Sequence, residues 1–211
     1  MKICEIFTSI QGESSFAGFP CTFIRLSGCN LKCVYCDTGY CDEAKQEMSE
    51  DDIIAQVSII GVRLVEVTGG EPLLQDAAFH LIERLINEGH KVLIETNGSQ
   101  SIKDIDPRAT IIMDIKTPAS GMADAMDFTN LEYIKKTDEI KFVVLDRKDF
   151  LWAKTFIEDN DLTGKCNVLI SPAFGFLDPE SLSNWIIEER MDVRLNLQMH
   201  KFIFKESARG V

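Results

Sequence analysis

No uninterrupted apolar run in the chain approaches the length that spans a bilayer, and Met1 leads directly into the charged, strand-like stretch Lys2 to Thr8. A soluble, unprocessed, cytoplasmic protein without a membrane partner is expected. Basic residues are scarce as well: 22 Lys and Arg against 34 Asp and Glu leave a formal net charge of -12. A surface of that sign does not attract nucleic-acid phosphates, because affinity for a polyanion comes mainly from Lys and Arg displacing counterions. A small-molecule ligand is expected instead. No long polar or Pro/Gly-rich linker divides the chain, and it holds no internal repeat or low-complexity tract. At 211 residues it can bury a full core, so a single domain covering 1–211 is expected.

An even set of cysteines is also missing. There are seven, and three of them crowd into the segment Cys29 to Cys36, which suits a metal site in a reducing compartment better than a disulfide framework. Cys4, Cys21, Cys41 and Cys166 are expected to be buried small residues.

Short β-branched runs alternate with helix-period stretches, as in βα units around a parallel sheet. Strands are expected at Thr22 to Leu26, Leu64 to Thr68, Lys91 to Glu95, Thr110 to Ile115, Ile140 to Leu145, Asn167 to Ser171 and Val193 to Leu197. Amphipathic helices are expected at Ser49 to Ile60, Asp76 to Glu88, Arg147 to Asn160 and Pro179 to Glu189, several entered through Ser or Asp caps. Thr117 to Asp127, rich in small residues, Pro and Gly, reads as a loop.

Parallel α/β folds place their chemistry at the carboxyl ends of strands. The unusual residues fall there repeatedly: Gly28 and the cysteines, then Thr68-Gly69-Gly70-Glu71-Pro72, Glu95-Thr96-Asn97-Gly98, Asp114-Ile115-Lys116, Ser171-Pro172 and Gln198. Cys29, Cys33 and Cys36 are spaced so that one loop can wrap a small inorganic core, with Gly28 permitting a tight backbone approach. A cubane held by three protein thiolates leaves one iron free for a substrate or cofactor. The alternative is a zinc knuckle completed by Cys41. Gly69-Gly70 reads as a place where backbone meets a ligand closely, with Glu71 near a cationic amino group.

Cys-x3-Cys-x2-Cys followed by Thr-Gly-Gly-Glu-Pro after the next strand resembles the radical S-adenosylmethionine (SAM) superfamily. The resemblance implies an incomplete (β/α) TIM-type barrel with reduced helical content. It also implies a 4Fe-4S cluster on Cys29, Cys33 and Cys36, with SAM chelated at the open iron and cleaved to a radical that abstracts hydrogen. Gly69, Gly70, Glu71, Glu95, Asn97, Asp114, Lys116 and Ser171 match positions that bind SAM in the family. Outside any family, the polar residues among these read as caps or surface ion pairs.

Gln11-Gly12-Glu13, Arg25, Cys36-Asp37-Thr38 and Leu197-Gln198-Met199-His200-Lys201 extend the match over nearly the whole chain, and together they resemble the 7-carboxy-7-deazaguanine synthase family. That family converts 6-carboxy-5,6,7,8-tetrahydropterin to 7-carboxy-7-deazaguanine with ring contraction and loss of ammonia, on the deazapurine route toward queuosine and archaeosine. The implied substrate contacts are Gln11, Gly12, Glu13, Arg25, Thr68, Gln198 and His200. Arg25 would grip the carboxylate. Thr38 matches a magnesium-binding position, and Mg2+ prefers such hard oxygen ligands. No residue is assigned as a general base. Gln198 and His200, read as alternating along a late strand, would share one face, with Lys201 pointing away. His80 and His90 read as structural or solvent-facing.

The resemblance further implies a homodimer and a flavodoxin- or ferredoxin-type reductant. Two features depart from relatives: Asp114-Ile115-Lys116 stands where many carry Ser-Pro-Lys, and the chain ends Arg209-Gly210-Val211 where some use a terminal proline carboxylate at the substrate. A glycyl-radical-enzyme activase and a non-enzymatic iron-sulfur or zinc protein are the competing readings.

Overall fold

Alternation along the central strands dictates the architecture. In a computed structural model of the chain, described here for residues 1–42 and 46–204, these strands are buried on both faces, as strands of a covered parallel sheet must be. The strands are β1 (Lys2–Ile10), β2 (Pro20–Leu26), β3 (Gln46–Glu47), β4 (Leu64–Gly69), β5 (Lys91–Thr96), β6 (Thr110–Ile115), β7 (Glu139–Val144), β8 (Asn167–Pro172) and β9 (Arg194–Leu195). They form one sheet in the order β3-β1-β2-β4-β5-β6-β7-β8-β9. β1 pairs antiparallel with β2 and β3, and every pairing from β2 to β9 is parallel.

The outer face carries Val65, Val67, Val92, Ile94, Ile111, Met113, Ile140, Phe142, Val168 and Ile170, packed beneath the helices. Those helices are α1 (Glu50–Ile60), α2 (Ala77–Asn87), α3 (Arg147–Asp159), α4 (Leu162–Lys165) and α5 (Pro179–Glu188), whereas the late, short α6 (Met199–Ile203) adds no residue to that core. Ser49 and Asp146 cap α1 and α3 through the amides of Asp52 and Asp149. No α-helix is found between β5 and β6 or between β6 and β7, where turns and short 3-10 segments run instead. The fold is therefore an incomplete TIM-type barrel with reduced helical content. None of its described helices is long and apolar enough to cross a membrane.

The inner face is divided along its length. Cys21, Phe23, Leu64, Leu93 and Ile112 form a second apolar cluster, joined by Phe7 and Phe16, that fills one end of the barrel. Toward the carboxyl ends the inward positions turn polar: Glu66 and Thr68, Glu95, Asp114, Lys141 and Ser171.

The loop after β1 crosses this interior. Ser14 N donates to Asn196 Oδ1 at 2.9 Å, and Ser15 donates to the Glu139 carboxylate at the start of β7. Asn196 also donates to Ser171 Oγ at 2.8 Å. The expected strand Val193 to Leu197 pairs only at Arg194–Leu195; Asn196 N still donates to Ile170 O at 2.9 Å while its side chain holds the crossing loop.

Three other expectations are corrected. Gln198 and His200 do not alternate on a strand: Gln198 precedes α6 and His200 lies within it, so both arise from a helix entrance. Lys201 does not point away, since its Nζ reaches Asp37 at 2.7 Å beside the cavity described below. Cys4 and Cys41, expected as separate buried residues, are joined in a disulfide with Cα atoms 5.4 Å apart. Cys41 is thereby unavailable as a fourth zinc ligand. Cys21 and Cys166 are buried and free, as expected. The chain terminus, including Val211, lies outside the described residues.

Candidate active site

The carboxyl ends of β2 and β4 to β8 open into a cavity of about 500 Å³. Cys29, Cys33 and Cys36 are free and border it together. Their loop is set by the backbone. Gly28 adopts φ +94°, a conformation that L side chains rarely accept, donates to Cys41 O at 2.9 Å and accepts from Glu71 N at 2.8 Å. Leu31, buried at 5% exposure, anchors the loop, and Val34 N donates to Ser120 O at 3.1 Å.

The two glycines of the next strand end have an internal reason to lack side chains. A Cβ on Gly70 would stand 2.0 Å from Gly28 O, and one on Gly69 would stand 2.7 Å from Leu26 O. Glu71, expected near a ligand amino group, is instead fully buried and outside the cavity lining. It accepts from Thr96 Oγ1 at 2.8 Å, Asn97 N at 2.6 Å and Leu73 N at 3.0 Å. Its carboxylate ties the end of β4 to the end of β5, leaving the Gly69-Gly70 backbone to face the cavity.

All the other candidate residues lie along this one cavity. On the cysteine side, Asn97 Nδ2 donates to Asn30 Oδ1 at 3.2 Å and lies 3.8 Å from Cys29 Sγ. Lys116 Nζ meets Asp114 Oδ2 at 2.7 Å. Burial works against the Lys116 ammonium, but Asp114 and the other acidic groups around it together outweigh it and hold the pKa above the ordinary value.

On the opposite side, Arg25 Nε donates to Glu5 Oε1 at 3.0 Å, and its guanidinium lies 5.7 Å from the centre of the Phe7 ring. Gln198 Nε2 donates to Glu13 Oε1 at 2.9 Å. Gln11 is deeply buried, and its amide is shared between the Glu66 carboxyl and the backbone N–H of Glu13. A Cβ on Gly12 would fall 2.1 Å from His200 Nδ1, so glycine there makes room for the imidazole. Burial holds His200 below the usual imidazole pKa. Thr38 Oγ1 donates to Asp37 Oδ1 at 2.9 Å.

Two charged groups in this cavity escaped the sequence reading. Glu66 and Lys141 occupy inward positions of β4 and β7, and both are almost completely buried. Burial, reinforced by the charge of Glu95, raises the Glu66 pKa well above the usual carboxylate range. Lys141 is held well above the ordinary ammonium range because Glu13 and Glu95 overcome its desolvation. A signal for both was present: a lone charge within a β-branched run of a doubly covered strand is costly unless it has a purpose.

The donor set fits an iron-sulfur cluster with an organic cofactor beside it. Soft thiols stand together at the mouth. Among the described residues, Asp114 Oδ1 and the Tyr35 hydroxyl at the cavity wall are buried without a hydrogen-bond partner. Buried polar atoms are rarely left so.

Residues 23–112 match the model of the radical SAM superfamily. A curated 7-carboxy-7-deazaguanine synthase of Chlorobaculum tepidum is 45% identical, covering 100% of this chain and 97% of that protein. Its counterpart in Koribacter versatilis is 43% identical, with both chains covered completely. The crystal structure of QueE from Escherichia coli superposes with a TM-score of 0.76 at 25% identity, covering 94% of this chain and 93% of that one. With relatives this similar along its whole length, the chain belongs to the 7-carboxy-7-deazaguanine synthase family of the radical SAM superfamily.

Proposed function

We propose that this protein is a ring-contracting carbon-nitrogen lyase that converts 6-carboxy-5,6,7,8-tetrahydropterin to 7-carboxy-7-deazaguanine with loss of ammonia. The observation that carries this reading is the juxtaposition in one cavity of three free thiols with Arg25, Glu13 and Gln198. When bound, the 4Fe-4S cluster and SAM would supply the radical that abstracts hydrogen. Cys29, Cys33 and Cys36 would hold the cluster. The Gly69-Gly70 backbone, Glu95, Asn97, Asp114, Lys116 and Ser171 would hold SAM. Asp114 fits this role through its unpaired oxygen.

Arg25, steadied by Glu5, would hold the substrate carboxylate through paired hydrogen bonds. Glu13 and Gln198 present acceptor and donor groups suited to a pterin edge, with Thr68 and His200 at its borders. Gln11 and Gly12 act by shaping the turn that carries Glu13. Thr38 and the neighbouring Asp37 carboxylate offer hard oxygens suited to Mg2+. A flavodoxin- or ferredoxin-type reductant, a homodimer, and a cytoplasmic place in queuosine- or archaeosine-type deazapurine synthesis complete the proposal.

The test is anaerobic incubation of reconstituted protein with reductant, SAM, Mg2+ and the pterin, followed by mass spectrometry. A 7-carboxy-7-deazaguanine peak absent from Cys33→Ala is expected. SAM cleavage with the pterin left intact would overturn the substrate and favour the activase reading.

A further inference from the structure

One ammonium gathers the carboxylates of three separate segments. Lys141 Nζ lies 3.0 Å from Glu13 Oε2 in the loop after β1, bonds Glu95 Oε1 at the end of β5, and stands 3.8 Å from Asp114 Oδ2 on β6. The Lys141 side chain is 6% exposed, whereas those of Glu13 and Glu95 are 19% and 30% exposed. The ammonium is thus almost wholly covered, while its two nearest acceptors keep a more open edge toward the cavity. Each acceptor also has a second partner: Gln198 Nε2 on Glu13 Oε1 at 2.9 Å, and Thr68 Oγ1 on Glu95 Oε2 at 3.3 Å.

We propose that Lys141 is a positioning residue that links the pterin side of the cavity to its SAM side, so that occupancy at one strengthens binding at the other. The inference rests on the functional reading above, in which Glu13 faces the pterin and Glu95 faces SAM. Its physical basis is the shared donor. An ammonium has three protons and a single location, so a ligand that draws on Glu95 changes what Lys141 gives to Glu13. Without the ammonium, the Glu13 and Glu95 carboxylates lose the cation that bridges them, and the alignment of either no longer depends on the other. A coupling of this kind is reciprocal and amounts to a several-fold change in affinity.

The experiment is a binding titration on anaerobically reconstituted protein without reductant, so that SAM is not consumed. The dissociation constant of 6-carboxy-5,6,7,8-tetrahydropterin is measured with and without saturating SAM, by fluorescence, for wild type, Lys141→Met and Lys141→Arg. The expected result is pterin binding about tenfold tighter with SAM in wild type, a ratio near one in Lys141→Met, and partial recovery in Lys141→Arg. A purely structural role would lower thermal stability or weaken both ligands alike and leave the ratio unchanged.

If Lys141→Met does not fold, Glu13→Gln serves in its place. It removes one arm of the junction while Glu95 still pairs the ammonium, and it too must lose the ratio. An undiminished ratio in either folded variant, or a ratio of one in wild type, overturns the inference. Failure of wild type to bind either ligand would instead count against the functional reading.

Discussion

At the scale of single residues, the cavity is governed by which charges the barrel keeps and which it neutralises. Glu95 stays ionised because Lys141 outweighs its burial, whereas Glu66, a few ångströms of strand away and facing the same interior, is pushed up by burial and by the charge of Glu95. A carboxyl whose folded pKa lies above its unfolded value favours the fold most at low pH, and that contribution is lost as pH rises through the folded pKa. Glu66→Gln keeps the shape and the neutral acceptor for Gln11. We therefore expect it to match wild type below about pH 4, where the carboxyl is protonated in both states, and to become progressively the more stable protein as pH rises through the usual carboxylate range. Urea denaturation across pH reads this directly, and a variant that falls below wild type at pH 8 would contradict it.

The same residue scale explains what the sequence concealed. The cysteine triad, Gly69-Gly70 and the residues at successive strand ends were legible because each is unusual for its local context. Glu66 and Lys141 were not, since the strand pattern was read for where its ends lay and not for which inward positions broke its apolar rule. Glu71 looked like a ligand contact by proximity. Its burial beneath Thr96 and Asn97 depends on how β4 and β5 align, which no local signal records.

At the scale of elements, the strands were legible and the chain's late turns were not. β6 runs over Thr110–Ile115 as read, because β-branched residues buried on both faces leave no other conformation for it. The segment after Val193 defeated the same logic: the Asn196 backbone still donates to Ile170 O while its side chain bonds Ser14 and Ser171, and the chain then turns at Gln198 into a helix. Those bonds hold an open sheet together across its interior, between the loop after β1 and the ends of β8 and β9. Asn196 is 3% exposed, so replacing it with Ala strands the Ser14 N–H and the Ser171 hydroxyl without water. A loss of about 2–3 kcal/mol is expected for Asn196→Ala in denaturant melts, and a change under about 0.5 kcal/mol would show that the crossing loop is held by other means.

At the scale of the whole molecule, the cysteine-bearing loop is bounded by a covalent link. Cys4 on β1 joins Cys41 across a sequence separation of 37, enclosing β2 and the three free cysteines Cys29, Cys33 and Cys36. The odd cysteine count, read as evidence of a reducing compartment, gave no hint of this pair, because the pairing requires β1 to lie beside the end of the loop. Closing a segment of that length restricts the unfolded chain by about 4 kcal/mol. Reductant should therefore lower wild-type stability toward that of Cys4→Ser/Cys41→Ser and leave the double variant unmoved. Equal melting with and without reductant would mean that the link contributes nothing.

The central claim is that the cavity's three free thiols hold a four-iron cluster with one open iron. Its most direct test is iron and acid-labile sulfide analysis of anaerobically reconstituted protein, joined to electron paramagnetic resonance of the reduced cluster before and after SAM is added. Four irons and four sulfides per chain, lost in Cys33→Ala, with a signal that shifts on SAM addition, is the predicted result. Stoichiometric zinc in protein isolated without oxygen, or a cluster signal indifferent to SAM, would contradict it.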